Sequence, residues 1–320
     1  MKKYLITGGC GFIGSHLAES LLSDGHAVRI LDNLSTGKRE NAPAGCELVI
    51  GDVVDATVVN RCMQDVDGCF HLAAVASVQL SNEDWVGTHN TNQTASINVF
   101  DAARGNRTPV VYASSAAVYG DNADMPLKEN AALRPLTAYG ADKLGSELHA
   151  RVASLVHGVP TTGLRFFNVY GPRQDPSSPY SGVISIFVDR VLKGESLDVF
   201  GDGQQIRDFI YVGDVVRFLR AAMAHCDRTP AAYNVCTGES VSIEMLANMV
   251  MSIVGTRVAI RHRPARKGDI RVSVGDAGLS RKTLGVTAEE HLGEGLRKLI
   301  DYVVAQQQRL LSQAGVQALG

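Results

Sequence analysis

Tyr139 and Lys143, in Tyr139-Gly140-Ala141-Asp142-Lys143, stand four residues apart. On a helix that spacing puts two side chains one above the other. An ammonium beside a phenol favours the phenolate, so it should lower a pKa whose ordinary value is near ~10. A phenol tuned in that way takes or gives a proton near neutral pH. Ordinary helix packing also produces such pairs, so the weight of this one comes from what surrounds it.

A second group with chemical capacity is Ser114-Ser115, which closes the apolar run Val110-Val111-Tyr112-Ala113. Hydroxyls at the carboxyl end of a central strand point into the crevice where ligands bind. A third is Thr7-Gly8-Gly9-Cys10-Gly11-Phe12-Ile13-Gly14, between the apolar Tyr4-Leu5-Ile6 and an amphipathic stretch carrying Leu17, Leu21 and Leu22. Strand, glycines and helix form the context of a phosphate-binding turn. Gly8 makes the turn, Gly11 lets backbone approach a pyrophosphate, and Gly14 lets the helix pack on its strand.

Asp32 closes the strand Val28-Arg29-Ile30-Leu31, 18 residues after Gly14. A carboxylate there accepts from ribose hydroxyls and repels a 2′-phosphate, which favours NAD over NADP. Asn33 could bond the same adenosine. In Gly51-Asp52-Val53, Asp52 either reaches the adenine amine or serves as a turn residue. Leu72, Ala73 and Ala74 end a fourth strand, where small residues leave room for a cofactor. His71 in that strand reads as a satisfied core histidine. Asn92, on a helix expected over residues 84–104, meets a nicotinamide ribose or faces solvent.

The elements that must position these groups alternate between strand and helix as far as Arg165, the pattern of a doubly wound parallel sheet. The fold class is therefore α/β, Rossmann-type, with a smaller mixed C-terminal domain. Residues 1–168 form the dinucleotide-binding part, to which 207–228 return; 169–206 and 229–320 form the substrate part. In that second part a strand is expected over 207–212, with Asp214 as N-cap of the next helix. Ser242 caps another, and a long helix runs from about Glu289.

The 320 residues allow one large or two modest domains. A formal net charge of −2 does not suggest nucleic acid or an anionic membrane as partner. No apolar run reaches the length of a membrane span. The six cysteines lack metal-site spacing and read as reduced thiols of a cytoplasmic protein.

In this combination the chain resembles the extended short-chain dehydrogenase/reductase family, and within it the UDP-hexose 4-epimerases. The motifs that carry the resemblance include the glycine turn, Ser114-Ser115-Ala116-Ala117-Val118-Tyr119-Gly120, the Tyr139–Lys143 pair, Arg165-Phe166-Phe167-Asn168, Arg207-Asp208-Phe209 and Arg266-Lys267-Gly268-Asp269. The resemblance implies that Ser115 and Tyr139 contact a sugar 4-hydroxyl and that Lys143 holds the nicotinamide ribose. It implies that Asn168 bonds the sugar or diphosphate side, with Arg207 and Arg266 on the UDP phosphates. Arg suits phosphate because its planar fork matches two oxygens at once. Relatives that dehydrate or decarboxylate carry an acid two positions after the catalytic hydroxyl, where this chain has Ala117. Ser273 falls at the position whose size governs entry of an N-acetyl group. A homodimer is also expected, with no metal.

Overall fold

The computed structural model describes residues 1–176, 182–265 and 270–317. Strand β1 (Lys3–Thr7) leads through the glycine turn into α1 (Phe12–Ser23), and β2 (Ala27–Asp32) and β3 (Glu47–Ile50) follow. Helix α2 (Ala56–Met63) returns the chain to β4 (Gly68–His71). Three short helices, α3 (Val78–Glu83), α4 (Trp85–His89) and α5 (Ala95–Ala102), precede β5 (Val110–Ser115). Helix α6 (Ala138–His157) and β6 (Thr161–Phe166) complete the alternation. The chain continues through β7 (Asn168–Tyr170), α7 (Val183–Leu192), β8 (Leu197–Phe200), β9 (Ile206–Arg207), β10 (Phe209–Tyr211) and α8 (Val212–Ala224). It ends with β11 (Ala231–Val235), β12 (Val241–Ser242), α9 (Ile243–Val254), β13 (Ile260–Arg263), β14 (Val272–Ser273), α10 (Gly278–Leu284) and α11 (Leu292–Gln317).

The large sheet is parallel throughout, in the order β11-β6-β5-β4-β1-β2-β3. Its central strands are buried on both faces, which is why they read as nearly unbroken apolar runs, whereas the edge strand β3 is partly exposed. Alternate residues feed two cores. Tyr4, Ile6, Ile30, Phe70 and Val111 share one with Leu17 of α1 and Phe218 of α8. Leu5, Leu31, Cys69, Val110 and Tyr112 share the other with Val59 of α2, Val99 of α5 and Ala153 of α6. The smaller lobe has its own core, where α7, α9 and α11 bury Phe187, Leu246 and Leu296. Among the described residues no helix is long and apolar enough to cross a membrane.

Four expectations change. Tyr233-Asn234-Val235, assigned to the substrate part, belongs to β11, which pairs with β6 and extends the large sheet. The strand expected over 207–212 divides into β9 and β10 at Asp208, which is fully buried. Its carboxylate accepts from Thr237 N, Thr237 Oγ1 and Gly238 N, each at 2.8 Å, so the chain turns there to bind residues 237–238. Asp214 does not cap α8; Tyr211 stands at that position. Asp214 lies in the first turn and accepts from the N–H groups of Glu289 and Glu290, which anchors the approach to α11. The helix expected over 84–104 is interrupted by a π-helical turn at Asn90–Thr94. Ser242 does cap α9, accepting from Met245 N at 3.1 Å.

Candidate active site

A cleft of about 950 Å³ runs along the carboxyl ends of the strands, between the large sheet and the smaller lobe. The glycine turn forms one wall. Gly8 has φ +71°, and a Cβ there would lie 2.8 Å from Ala73 N. A Cβ on Gly14 would lie 2.2 Å from Gly8 O. Only glycine lets strand, turn and helix approach so closely. Helix α1 starts at Gly11, which offers no side-chain cap, and Gly11, Phe12 and Ile13 line the cleft. The first N–H groups of a helix lack internal partners and carry partial positive charge, so this wall suits a diphosphate.

Asp32 lines the same wall and is buried. Its two oxygens accept from Cys10 N at 2.9 Å and Leu34 N at 2.8 Å. Each oxygen keeps a further lone pair for a ribose hydroxyl. Asn33, Val53, Leu72, Ala73 and Ala74 also line the cleft. Asp52 does not. It is an exposed turn residue that accepts from Val54 N at 2.9 Å and from Asn33 Nδ2 at 2.9 Å. Asn92 is buried away from the cleft, where its amide spans Val75 N at 2.8 Å and Val75 O at 3.1 Å. The π-helical turn thus aims an amide that holds the loop after β4. His71 is a core residue, as expected: Thr7 Oγ1 lies 2.8 Å from one ring nitrogen and Ser96 Oγ 3.1 Å from the other. Burial pushes its pKa down to about 3, so the ring is neutral.

Helix α6 brings the reactive groups to the end of β5. Thr137 caps it, accepting from Gly140 N at 3.0 Å, so Tyr139 lies in the first turn. Tyr139 is hydrogen-bonded to Ser115, and Ser115 Oγ accepts from Ala117 N at 3.2 Å. The Lys143 ammonium is buried and donates to Ala113 O at 2.9 Å, with Nζ 5.7 Å from the centroid of the Tyr139 ring. The expectation that Lys143 lowers the Tyr139 pKa is not met. Burial of the hydroxyl raises it, and the Ser115 hydrogen bond is what opposes the rise. Lys143 is itself pushed down to about 8 by burial, with Asp142 acting the other way.

Ser114 borders the cleft, but its hydroxyl donates to Glu147 Oε1 at 2.5 Å and is committed there. Asn168 and Arg207 are half-buried and line the opposite wall. Ser273 pairs with Arg207 across β14 and β9 but is not part of the wall itself. Arg266 lies outside the described residues. Sequence reasoning missed the apolar end of the smaller lobe, where Ile184, Phe187, Val199, Phe200 and Phe209 line the cleft. The usable signal was Phe200, an aromatic residue directly before a glycine turn. It also missed Lys38–Asp175, an ion pair at 2.9 Å between the loop after β2 and the loop after β7. No local pattern marks that contact.

The chain matches the model of the NAD dependent epimerase/dehydratase family over residues 4–236. It is 35% identical over 302 residues to a putative UDP-glucose 4-epimerase of Methanocaldococcus jannaschii, covering 93% of this chain and 97% of that protein. A UDP-N-acetylglucosamine 4-epimerase of Methanobrevibacter ruminantium, solved with UDP-N-acetylmuramic acid, superposes with a TM-score of 0.91 at 35% identity. That match covers 95% of this chain and 99% of the other. A UDP-N-acetyl-alpha-D-glucosaminuronate decarboxylase of Bacillus cytotoxicus is 33% identical over 274 residues, 83% of this chain and 84% of that protein.

The perturbed amine gives a direct test. Labelling of Lys143 by an acylating reagent is expected to rise with a midpoint near pH 8, well below the ordinary 10.5. A midpoint above pH 10 contradicts the burial argument. The sign for stability follows: between pH about 8 and 10.5 the unfolded chain binds the extra proton, so the folded state gains stability as pH rises through that window.

Proposed function

Because the chain belongs to the NAD dependent epimerase/dehydratase family, we propose that it is an isomerase that inverts C4 of a UDP-hexose through a 4-keto sugar. The observation that carries this is the cluster Ser115, Tyr139 and Lys143 on a cleft that also holds a glycine turn and Asp32. The wall fits NAD: the uncapped start of α1 and Gly8, Gly11 and Gly14 meet the diphosphate, and Asp32 the adenosine ribose. Bound NAD supplies a reversible hydride acceptor and a cationic ring. Tyr139 takes the 4-hydroxyl proton and later returns it. Ser115 orients that hydroxyl and the phenol. Lys143 holds the nicotinamide ribose and places positive charge under the phenol. Arg207, on the far wall, anchors the UDP diphosphate while the keto sugar turns over, and Asn168 bonds the same part of the substrate.

The decarboxylase relative raises a second reading. Elimination or decarboxylation calls for a further acid–base group beside the reacting carbons. The short turn after Ser115 carries Ala117, which has no acid–base group, at the position where such an acid is expected. For the sugar itself we infer the pair UDP-GlcNAc and UDP-GalNAc, with UDP-glucose and UDP-galactose as further substrates. Ser273 supports this because it is small and pairs with Arg207 of the cleft wall, so no bulky side chain stands at that position against a 2-acetamido group.

We also infer a cytoplasmic homodimer. Helix α6 exposes Leu148, Val152, Leu155 and Val156, and α4 exposes Trp85 and Val86. One protomer leaves that apolar stripe uncovered, which is the mark of an interface.

Four outcomes test these readings. Incubation with UDP-GlcNAc and with UDP-glucose, resolved by NMR, should give the 4-epimers with no net NADH or carbon dioxide. Tyr139→Phe should lower turnover on the order of 10²–10⁴-fold; release of carbon dioxide, or a fully active Phe variant, would sink the assignment. Ser273→Tyr should abolish turnover of the acetylated pair by overpacking while sparing the plain hexoses, and an equal effect on both removes Ser273 from substrate selection. Light scattering at micromolar concentration should give a dimer that Leu148→Glu with Val152→Glu converts to monomer; a wild-type monomer contradicts the interface.

A further inference from the structure

Tyr139, Lys143 and Glu147 follow one another at four-residue intervals on α6, so they share one face. Each grips a different residue at the end of β5. Tyr139 bonds Ser115, Lys143 bonds Ala113 O at 2.9 Å, and Glu147 accepts from Ser114 Oγ at 2.5 Å. Three side chains, one turn apart, thus hold three consecutive strand residues. The first two belong to the proposed chemistry. The third has no part in it, yet it is the most heavily bonded.

Glu147 is nearly buried and is held from two sides. Arg165, on the neighbouring strand and in register with Ser114, donates to it through Nε at 2.8 Å and Nη2 at 2.7 Å. The side chains of Arg165 and Glu147 are 5% and 9% exposed, so both charges depend on this pairing. Arg165 also donates to Tyr119 Oη at 2.8 Å and to Glu129 O at 2.9 Å. Tyr119 donates onward to Asn234 Oδ1 at 2.7 Å, on β11. The carboxylate that holds Ser114 therefore cannot swing: its rotamer is fixed by a planar guanidinium that is itself fixed.

We propose that Glu147 is a positioning residue of the reaction, which through Ser114 sets the end of β5 against α6 and so fixes the Ser115–Tyr139 hydrogen bond. The inference rests on the roles proposed above for Ser115 and Tyr139. If the Ser114–Glu147 bond is lost, the end of β5 keeps its place only through strand pairing and the Lys143–Ala113 contact, and the Ser115 hydroxyl drifts relative to the phenol. Alignment errors of that kind act on turnover rather than on substrate affinity. The pH profile should move as well. The Ser115 hydrogen bond is what opposes the raised pKa of Tyr139, so loosening it shifts the limb due to the phenol to higher pH.

The test uses Ser114→Ala in the full-length protein, because this variant leaves the Glu147–Arg165 ion pair whole. Expected are a loss in kcat on the order of tenfold with KM within about twofold of wild type, an upward shift of the phenol limb, and restoration of both by Ser114→Thr. Wild-type kcat and an unmoved pH profile overturn the proposal, even if thermal stability falls. Glu147→Gln is the second arm. If it folds, it should show the same shift; if it does not fold, Ser114→Ala decides alone. Tyr139→Phe is run alongside: an active Phe variant overturns the underlying reading, whereas an inactive one with a silent Ser114→Ala overturns only the positioning role.

Discussion

An ammonium can be buried only where something receives it, and in this protein the Lys143 amine is received by the carbonyl of Ala113. That single contact requires α6 to lie tightly against the end of β5, and much of the surrounding sequence serves the requirement. A Cβ on Gly140 would lie 2.7 Å from Ala117 O, and one on Gly145 would lie 2.1 Å from Gln93 Oε1. Those two glycines let the helix close onto the turn after β5 on one side and the π-helical segment on the other. Thr137 starts the helix where Tyr139 falls in its first turn. The same closeness removes water from the phenol and the amine, so the contact that places the groups also sets their pKa values.

The parts of the fold that were legible in the sequence are those fixed by neighbours in the chain. The glycine turn could be read because Gly8 and Gly14 have local steric reasons to lack a side chain. The large sheet could be read because strands buried on both faces leave apolar runs. The π-helical turn, the division of 207–212 at Asp208 and the attachment of β11 to β6 depend on partners far away in sequence, and no local pattern announces them. Asn92 and Ser114 show the same limit at the site. Their residue types fit ligand contact, but each is spent on the protein itself, one on Val75 and the other on Glu147. A polar residue near a strand end reports that a polar partner exists, not which one it is.

The smaller lobe is tied to the sheet by buried polar groups. Asp208 collects the N–H groups of Thr237 and Gly238 from just beyond β11, and it also accepts from Gly275 N at 3.4 Å beside β14. Asn234 on β11 donates to Leu127 O at 2.8 Å and Asp276 O at 3.2 Å. Both walls of the cleft are thereby referred to the same strand. Arg207 and the end of β5 are thereby held at a defined separation across the cleft. A substrate fixed at its diphosphate can then have its sugar turned without its anchor moving.

The raised pKa of Tyr139 fits a reaction that must run in both directions. Inversion asks one group to remove a proton from a hydroxyl and to give a proton back to the same oxygen on the new epimer. A phenol with a strongly depressed pKa would return the proton readily but remove it poorly, since a stable phenolate is a weak base. Burial weights the site toward the neutral phenol. The Ser115 hydrogen bond weights it toward the phenolate. The two tendencies oppose each other over a narrow span of distance, so small changes in the Ser115–Tyr139 alignment alter the balance between taking the proton and returning it. Catalytic balance at this site is thus a matter of helix-to-strand placement more than of which residue types are present.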